Sequence, residues 1–159
     1  MNQNVDYFQS YGKQKLNSGQ TPPVDVLESF AMQIHQKFYT QGLTAIVVQK
    51  PSSDNSHINY IVKLIPILAQ NYEYNFIEAE QVVDNVNLYP VNITSFQNEP
   101  LSPRKINTSE ELTKYLQDVM GMSRTQLVFN HLMTMGKIIS EGKKDISDAF
   151  KERLENENL

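Results

Sequence analysis

Between residues 21 and 41 apolar side chains recur three and four positions apart, at Leu27, Phe30, Ala31, Ile34 and Phe38. That period lines them along one side of a helix. Pro22 and Pro23 suit a first helical turn, where an amide has no partner to lose, and Asp25 and Glu28 suit the positive end of the helix. Gly42 supplies a stop, so the pattern predicts a helix over 22–41.

From Leu43 the pattern changes to short runs of β-branched and aromatic residues separated by polar turns, which predicts strands within 43–95. The runs are Leu43 to Gln49, His57 to Ile67, Tyr72 to Ala79 and Val86 to Ser95, with the turn-forming stretch Pro51 to Ser56 between the first two. A regular third strand places Tyr72, Tyr74, Phe76, Glu78 and Glu80 on one side. Pro90 interrupts the fourth run, and because proline cannot donate to a ladder it favours an edge strand or a bulge there. Residues 98–107, with Pro100 and Pro103, are expected to form an extended connector.

Helical signals return at Thr108 with Glu111 and at Ser123 with Gln126, each spaced as a capping box. They predict a helical hairpin over 108–139, with its first helix ending at Gly121. The fold class expected is α+β: an N-terminal helix, an antiparallel sheet of about four strands and a C-terminal helical hairpin, in a single domain over 21–140. Residues 1–20 are rich in Asn, Gln, Ser and Gly and are expected to form a flexible or loosely docked arm; 141–159 reads as an acidic helix or tail.

Composition narrows the function classes. The chain of 159 residues has no cysteine, which excludes a disulfide framework, a thiol nucleophile and a thiolate metal site within it. No run approaches the ~20 apolar residues of a membrane span, and the polar start Met1 to Asp6 lacks the features of a secretory signal, so the expectation is a cytoplasmic protein with no membrane partner. The net charge of −4 hides an asymmetry. Residues 1–100 are acidic, 101–144 are modestly basic through Arg104, Lys105, Lys114, Arg124, Lys137, Lys143 and Lys144, and the last fifteen are acidic again. A nucleic-acid footprint is normally stronger than this.

The three histidines, His35, His57 and His131, are dispersed, and none has the one-turn spacing of a metal pair. Glu78 and Glu80 project from one strand face, where two acids can hold a metal or share a proton, although a solvated strand end is the plainer reading. No phosphate-binding glycine loop and no Gly-x-Ser-x-Gly elbow is present. No catalytic residue, metal ligand or cofactor is therefore assigned, and the chain is expected not to be an enzyme.

Residues 112–132 look like a helix-turn-helix unit: Leu116 and Met120 pack inward, Gly121 permits the turn, Met122 plugs the corner and Ser123 caps the second helix. Gln117 stands where a small residue is usual, and Asn130 where an apolar one is. As a DNA reader the unit would place Arg124, Thr125, Gln126 and Asn130 near bases; the plainer alternative is a capped hairpin closing the domain. Its second helix carries Leu127, Val128, Phe129, Leu132, Met133, Met135, Ile138 and Ile139 around most of its circumference, more than one core-facing stripe needs. Phe129, Met133 and Met135 are accordingly expected to form a protein interface, methionine being adaptable in such contacts. The first expectation is a non-enzymatic protein-binding module of the adaptor, inhibitor, immunity or regulatory kind, binding another protein or a second copy of itself. The alternative is a DNA-binding regulator using 108–140, and the third a small metal-dependent hydrolase.

Overall fold

The computed structural model describes residues 5, 7, 20–69, 71–83 and 87–135. All of the expected 1–20 arm but Val5, Tyr7 and Gln20 lies outside the described residues, as do the acidic tail over 141–159 and the end of the hairpin, including Ile138 and Ile139. Helix α1 spans Pro23–Phe38 and passes through a single 3-10 turn, Tyr39–Gln41, into Gly42, whose φ of 89° is the left-handed conformation that ends it. Leu27, Ala31 and Ile34 form its buried stripe, with Phe30 and Phe38 packed beside them.

The strands are β1 (Leu43–Pro51), β2 (His57–Pro66), β3 (Tyr74–Val82), β4 (Val91–Phe96) and β5 (Glu99–Ile106). Among the described residues they make one antiparallel meander in the order β1-β2-β3-β4-β5. Helix α2 spans Ser109–Met120, and a third helix, α3, occupies residues 123–135. All three helices contribute to the core on one face of the sheet: Leu27 and Ile34 of α1, Leu112 and Val119 of α2 and Leu132 of α3 share one cluster with Val62, Leu64, Val91 and Ile93 of the strands. The fold is the expected α+β arrangement, and among the described residues no helix is long and apolar enough to cross a membrane.

The strand count differs from the expected four. The expected connector over 98–107 is a fifth strand from Glu99 to Ile106, because Gln97 and Asn98 take positive φ of 52° and 63° and close a two-residue hairpin that pairs Phe96 with Glu99. The two prolines are tolerated because β5 is an edge, and the pairing shifts between Ile93 and Ser95, so residues 101–103 bulge past Thr94. Pro90 marks no edge either: it immediately precedes β4, which is paired on both sides.

The third strand is also irregular. Pairing with β2 shifts between Val62 and Lys63, which leaves Phe76 as an extra residue, and Phe76 and Ile77 are both buried. Tyr74 and Phe76 therefore do not continue the row of Glu78 and Glu80, because a bulge breaks the two-residue alternation that the sequence pattern assumed.

Helix α2 starts as its sequence predicts. Thr108 Oγ1 accepts from the Glu111 amide at 3.1 Å, while the Glu111 carboxylate accepts from the Asn107 amide at 2.9 Å. The turn into α3 is different. Gly121 has an ordinary right-handed φ of −82°, so the corner does not require glycine, and Met122 is exposed and plugs nothing. α3 begins at residue 123, and the Gln126 amide is satisfied by the Met122 carbonyl at 3.3 Å.

Candidate functional site

Among the described residues the helical layer is open along the seam between α1 and α2. A groove of about 520 Å³ runs there over a floor of Val26, Phe30, Leu116 and Met120. Its rim is polar and mostly uncharged: Thr21, Ser29, Gln33, Thr113 and Gln117, with Asp25 as the one ionisable group. A second hollow of about 520 Å³ continues past Thr21, Val26, Thr113 and Gln117 to the start of α2, where Glu110, Lys114 and Asp118 line it. Apolar floors with a few convergent polar groups are what binding sites use for affinity and orientation respectively.

Long-range hydrogen bonds hold the two walls in place. The Tyr89 hydroxyl donates to the Thr21 carbonyl at 2.8 Å, and the Gln20 side-chain oxygen accepts from the Ser109 amide at 2.7 Å. The residues leading into α1 are thus tied to the first turn of α2. Two of that turn's free amides, those of Ser109 and Glu111, are taken up by Gln20 and Thr108. The Tyr89 phenol is pushed up to about 12 by burial and, less, by the nearby Glu110 charge. It is therefore a neutral donor at physiological pH. Beneath the floor Phe30 stacks on Phe76 with centroids 6.4 Å apart, which fixes the ring that the groove exposes.

The residues expected on α3 separate into two sets. Phe129 is 3% exposed and sits between Phe38 and Phe76, with centroids 5.3 and 5.5 Å away, so it belongs to the core and presents no surface. Met133 and Met135 are half-buried, and Met133 packs against that core. Of the residues suggested for base reading, Thr125 is buried and accepts from Gln97 Nε2 at 3.3 Å beneath the β4–β5 turn. Arg124 pairs with Glu99 at 3.2 Å, and Gln126 and Asn130 are exposed. Sequence reasoning missed Leu127, which at 68% exposure is the most open apolar side chain of α3; it borders a hollow of about 290 Å³ with Tyr72, Tyr74 and His131. Helical period alone could not find it, since Leu127 and Phe129 look equally apolar.

The candidate acids and histidines are not gathered into one centre. Glu80 lies 3.4 Å from His57 Nε2, and the same ring bonds Ser56 Oγ at 2.7 Å through Nδ1. Glu78 reaches Asn75 at 3.5 Å. His35 bonds Thr44 Oγ1 at 2.7 Å and packs on Tyr39, while His131 is exposed on α3. Among the described residues no three His, Asp or Glu side chains are placed to hold a metal ion. Comparisons with family models, curated proteins and solved structures give no match to this chain.

Proposed function

We propose that the chain is a non-enzymatic protein-binding module whose docking surface is the α1–α2 groove. The supporting observation is the groove itself: an apolar floor of Val26, Phe30, Leu116 and Met120 inside a rim of amides and hydroxyls, open along two helices. Its shape suits the apolar stripe of an amphipathic helix from another protein, whose anchors would sit between the α1 and α2 side chains. Its charge narrows the partner further. Asp25, Glu110 and Asp118 outnumber Lys114 around the two hollows, so the fitting segment flanks its apolar anchors with lysine or arginine.

The test is site-specific crosslinking. Photo-crosslinkers at Gln33, Gln117, Asn130 of α3 and Lys105 of β5 in the full chain, used in extracts of the source cell, should trap one protein from the first two positions and not from Asn130 or Lys105. The purified partner should then bind at least about tenfold more weakly to a folded Asp25→Lys, Gln117→Lys variant, as expected when a central contact and a charge match are both lost. A paired Met133→Glu, Met135→Glu variant should leave that binding unchanged. Capture from α3 but not from the groove, or full binding by the groove variant, would overturn the reading.

A further inference from the structure

The two edges of the sheet are built differently. The β5 edge carries the devices that discourage strand pairing: Pro100, Pro103, a bulge at 101–103, and Arg104 and Lys105. β1 has none of these in its interior. Leu43 to Gln49 are free of proline, and Lys50 is the strand's one charge. Among the described residues β1 pairs with β2 alone, without a register shift.

The direction of its free backbone groups follows from two flanking hydrogen bonds. Ser52 N–H donates to His57 at 2.9 Å and Ile67 N–H donates to Gly42 at 2.8 Å, both in register with the β1–β2 ladder. Hydrogen-bonded pairs alternate along an antiparallel ladder, so the even-numbered residues of β1 bond β2. Leu43, Ala45, Val47 and Gln49 therefore aim their amides and carbonyls away from the sheet. Exposed apolar side chains flank that row. On α1 the stripe Glu28, Met32, His35 lies on the side away from the α2 groove, and the His35–Thr44 hydrogen bond places it over the start of β1. Met32 on that stripe and Tyr39 just beyond it are 56% and 53% exposed; on the sheet's other face Ile46 is 41% exposed.

We propose that β1 pairs antiparallel with β1 of a second copy about a two-fold axis at Val47, joining the two sheets into one. The strand is self-complementary in that register. Val47 meets the partner's Val47, Ala45 meets Gln49, and Leu43 meets Pro51, so every pairing uses the outward row and the missing proline amide falls at the end. Between these pairs Ile46 faces Val48, which neighbours the buried Ile61, and Lys50 faces Thr44, so no like charges oppose one another. An isologous contact of this kind closes after two copies. It uses a different surface from the α1–α2 groove, so either reading can fail alone.

Sedimentation and amide exchange of the full chain over a range of concentrations test it. The wild type should pass from monomer to dimer and stop there, with the Ala45, Val47 and Gln49 amides gaining protection as the dimer forms while those of Thr44, Ile46 and Val48 are protected throughout. Gln49→Pro deletes an outward amide without breaking the β1–β2 ladder, and Ile46→Lys places a charge in the contact. Each should weaken dimerisation at least about tenfold, the effect of losing symmetry-related hydrogen bonds or desolvating a charge. Ile46→Lys changes an exposed side chain and keeps the test valid where the proline variant does not fold. A chain monomeric at every concentration, odd-numbered amides protected in the monomer, or a dimer unaffected by Ile46→Lys would each overturn the proposal.

Discussion

Phe129 of α3 meets Phe76 of β3 edge to face, with ring centroids 5.5 Å apart and planes at 68°. Phe38 approaches Phe129 from α1 at 5.3 Å and 71°, so this one ring joins α3 to both the sheet and the first helix. Edge-to-face pairs add to the burial of the rings, and truncating a buried phenylalanine costs about 3–5 kcal/mol. Phe129→Ala should lose that much in urea unfolding. Leu127→Ala, two residues away and 68% exposed, should stay within about 0.5 kcal/mol of wild type. Equal losses would mean that α3 does not dock through Phe129.

That contrast shows where the sequence was legible. The stripe of α1, the Gly42 stop and the Thr108–Glu111 cap depend on neighbours in the chain, and each is found where local pattern places it. The fifth strand was not legible because its turn is Gln97-Asn98, not a glycine turn, and its prolines are permitted only by an edge position that belongs to the sheet. The bulge at Phe76 is likewise invisible in a two-residue period. Helix α3 is apolar on several sides, so which side is buried was decided by Phe38 and Phe76, residues far away in sequence. The groove was hidden for the same reason: its floor joins Val26 and Phe30 to Leu116 and Met120, which all five strands separate along the chain.

The two glycines near helix ends should respond oppositely to alanine. Gly42 has φ of 89°, a conformation that costs an L-residue about 1 kcal/mol, and Gly42→Ala should lose about that much stability although its side chain meets open space. Gly121 has φ of −82°, and an added Cβ would lie 3.5 Å from the Asp118 carbonyl, an ordinary contact. Gly121→Ala should therefore be neutral or stabilising by about 0.4–1 kcal/mol, by reducing the freedom of the unfolded chain. Thermal unfolding of the two variants distinguishes them, and a large loss from Gly121→Ala would show that the corner does need glycine.

The β1–β2 loop should loosen in acid through Asp54. Its carboxylate accepts from Ser56 Oγ and Ser52 Oγ, both at 2.7 Å, and from the Ser56 amide at 3.0 Å. These bonds hold it well below its ordinary value of 3.8, the Ser56 hydroxyl contributing most. A depressed carboxylate stabilises the folded state above its unfolded value, and that contribution fades as pH falls below about 4. The protection of the Asn55 to His57 amides, measured against the unfolded chain at the same pH, should fall there in the wild type. Asp54→Asn should already show low protection at pH 7, with little further change on acidification. The same fall in Asp54→Asn as in wild type would place the acid-sensitive group elsewhere.

Tyr89 should make the end of the groove sensitive to alkali. Its phenol, raised to about 12 by burial first and Glu110 second, stays neutral in the folded chain while an unfolded tyrosine ionises near its ordinary 10.0. A raised tyrosine contributes stability that is complete below pH 10 and is lost as pH rises towards 12. Tyr89→Phe removes the bond to the Thr21 carbonyl and should cost about 0.5–1.5 kcal/mol at pH 7, nearer the lower end because water can replace a donor at this partly open position. Above pH 10 the variant should lose less stability than wild type, so the two curves converge. Tyr60, Tyr74 and Tyr115 are raised by burial as well, and only the difference between wild type and variant isolates Tyr89. A phenolate absorbance titration that gives the same midpoints with and without Tyr89 would show that the hydroxyl is solvated and does not tie Thr21 to the groove.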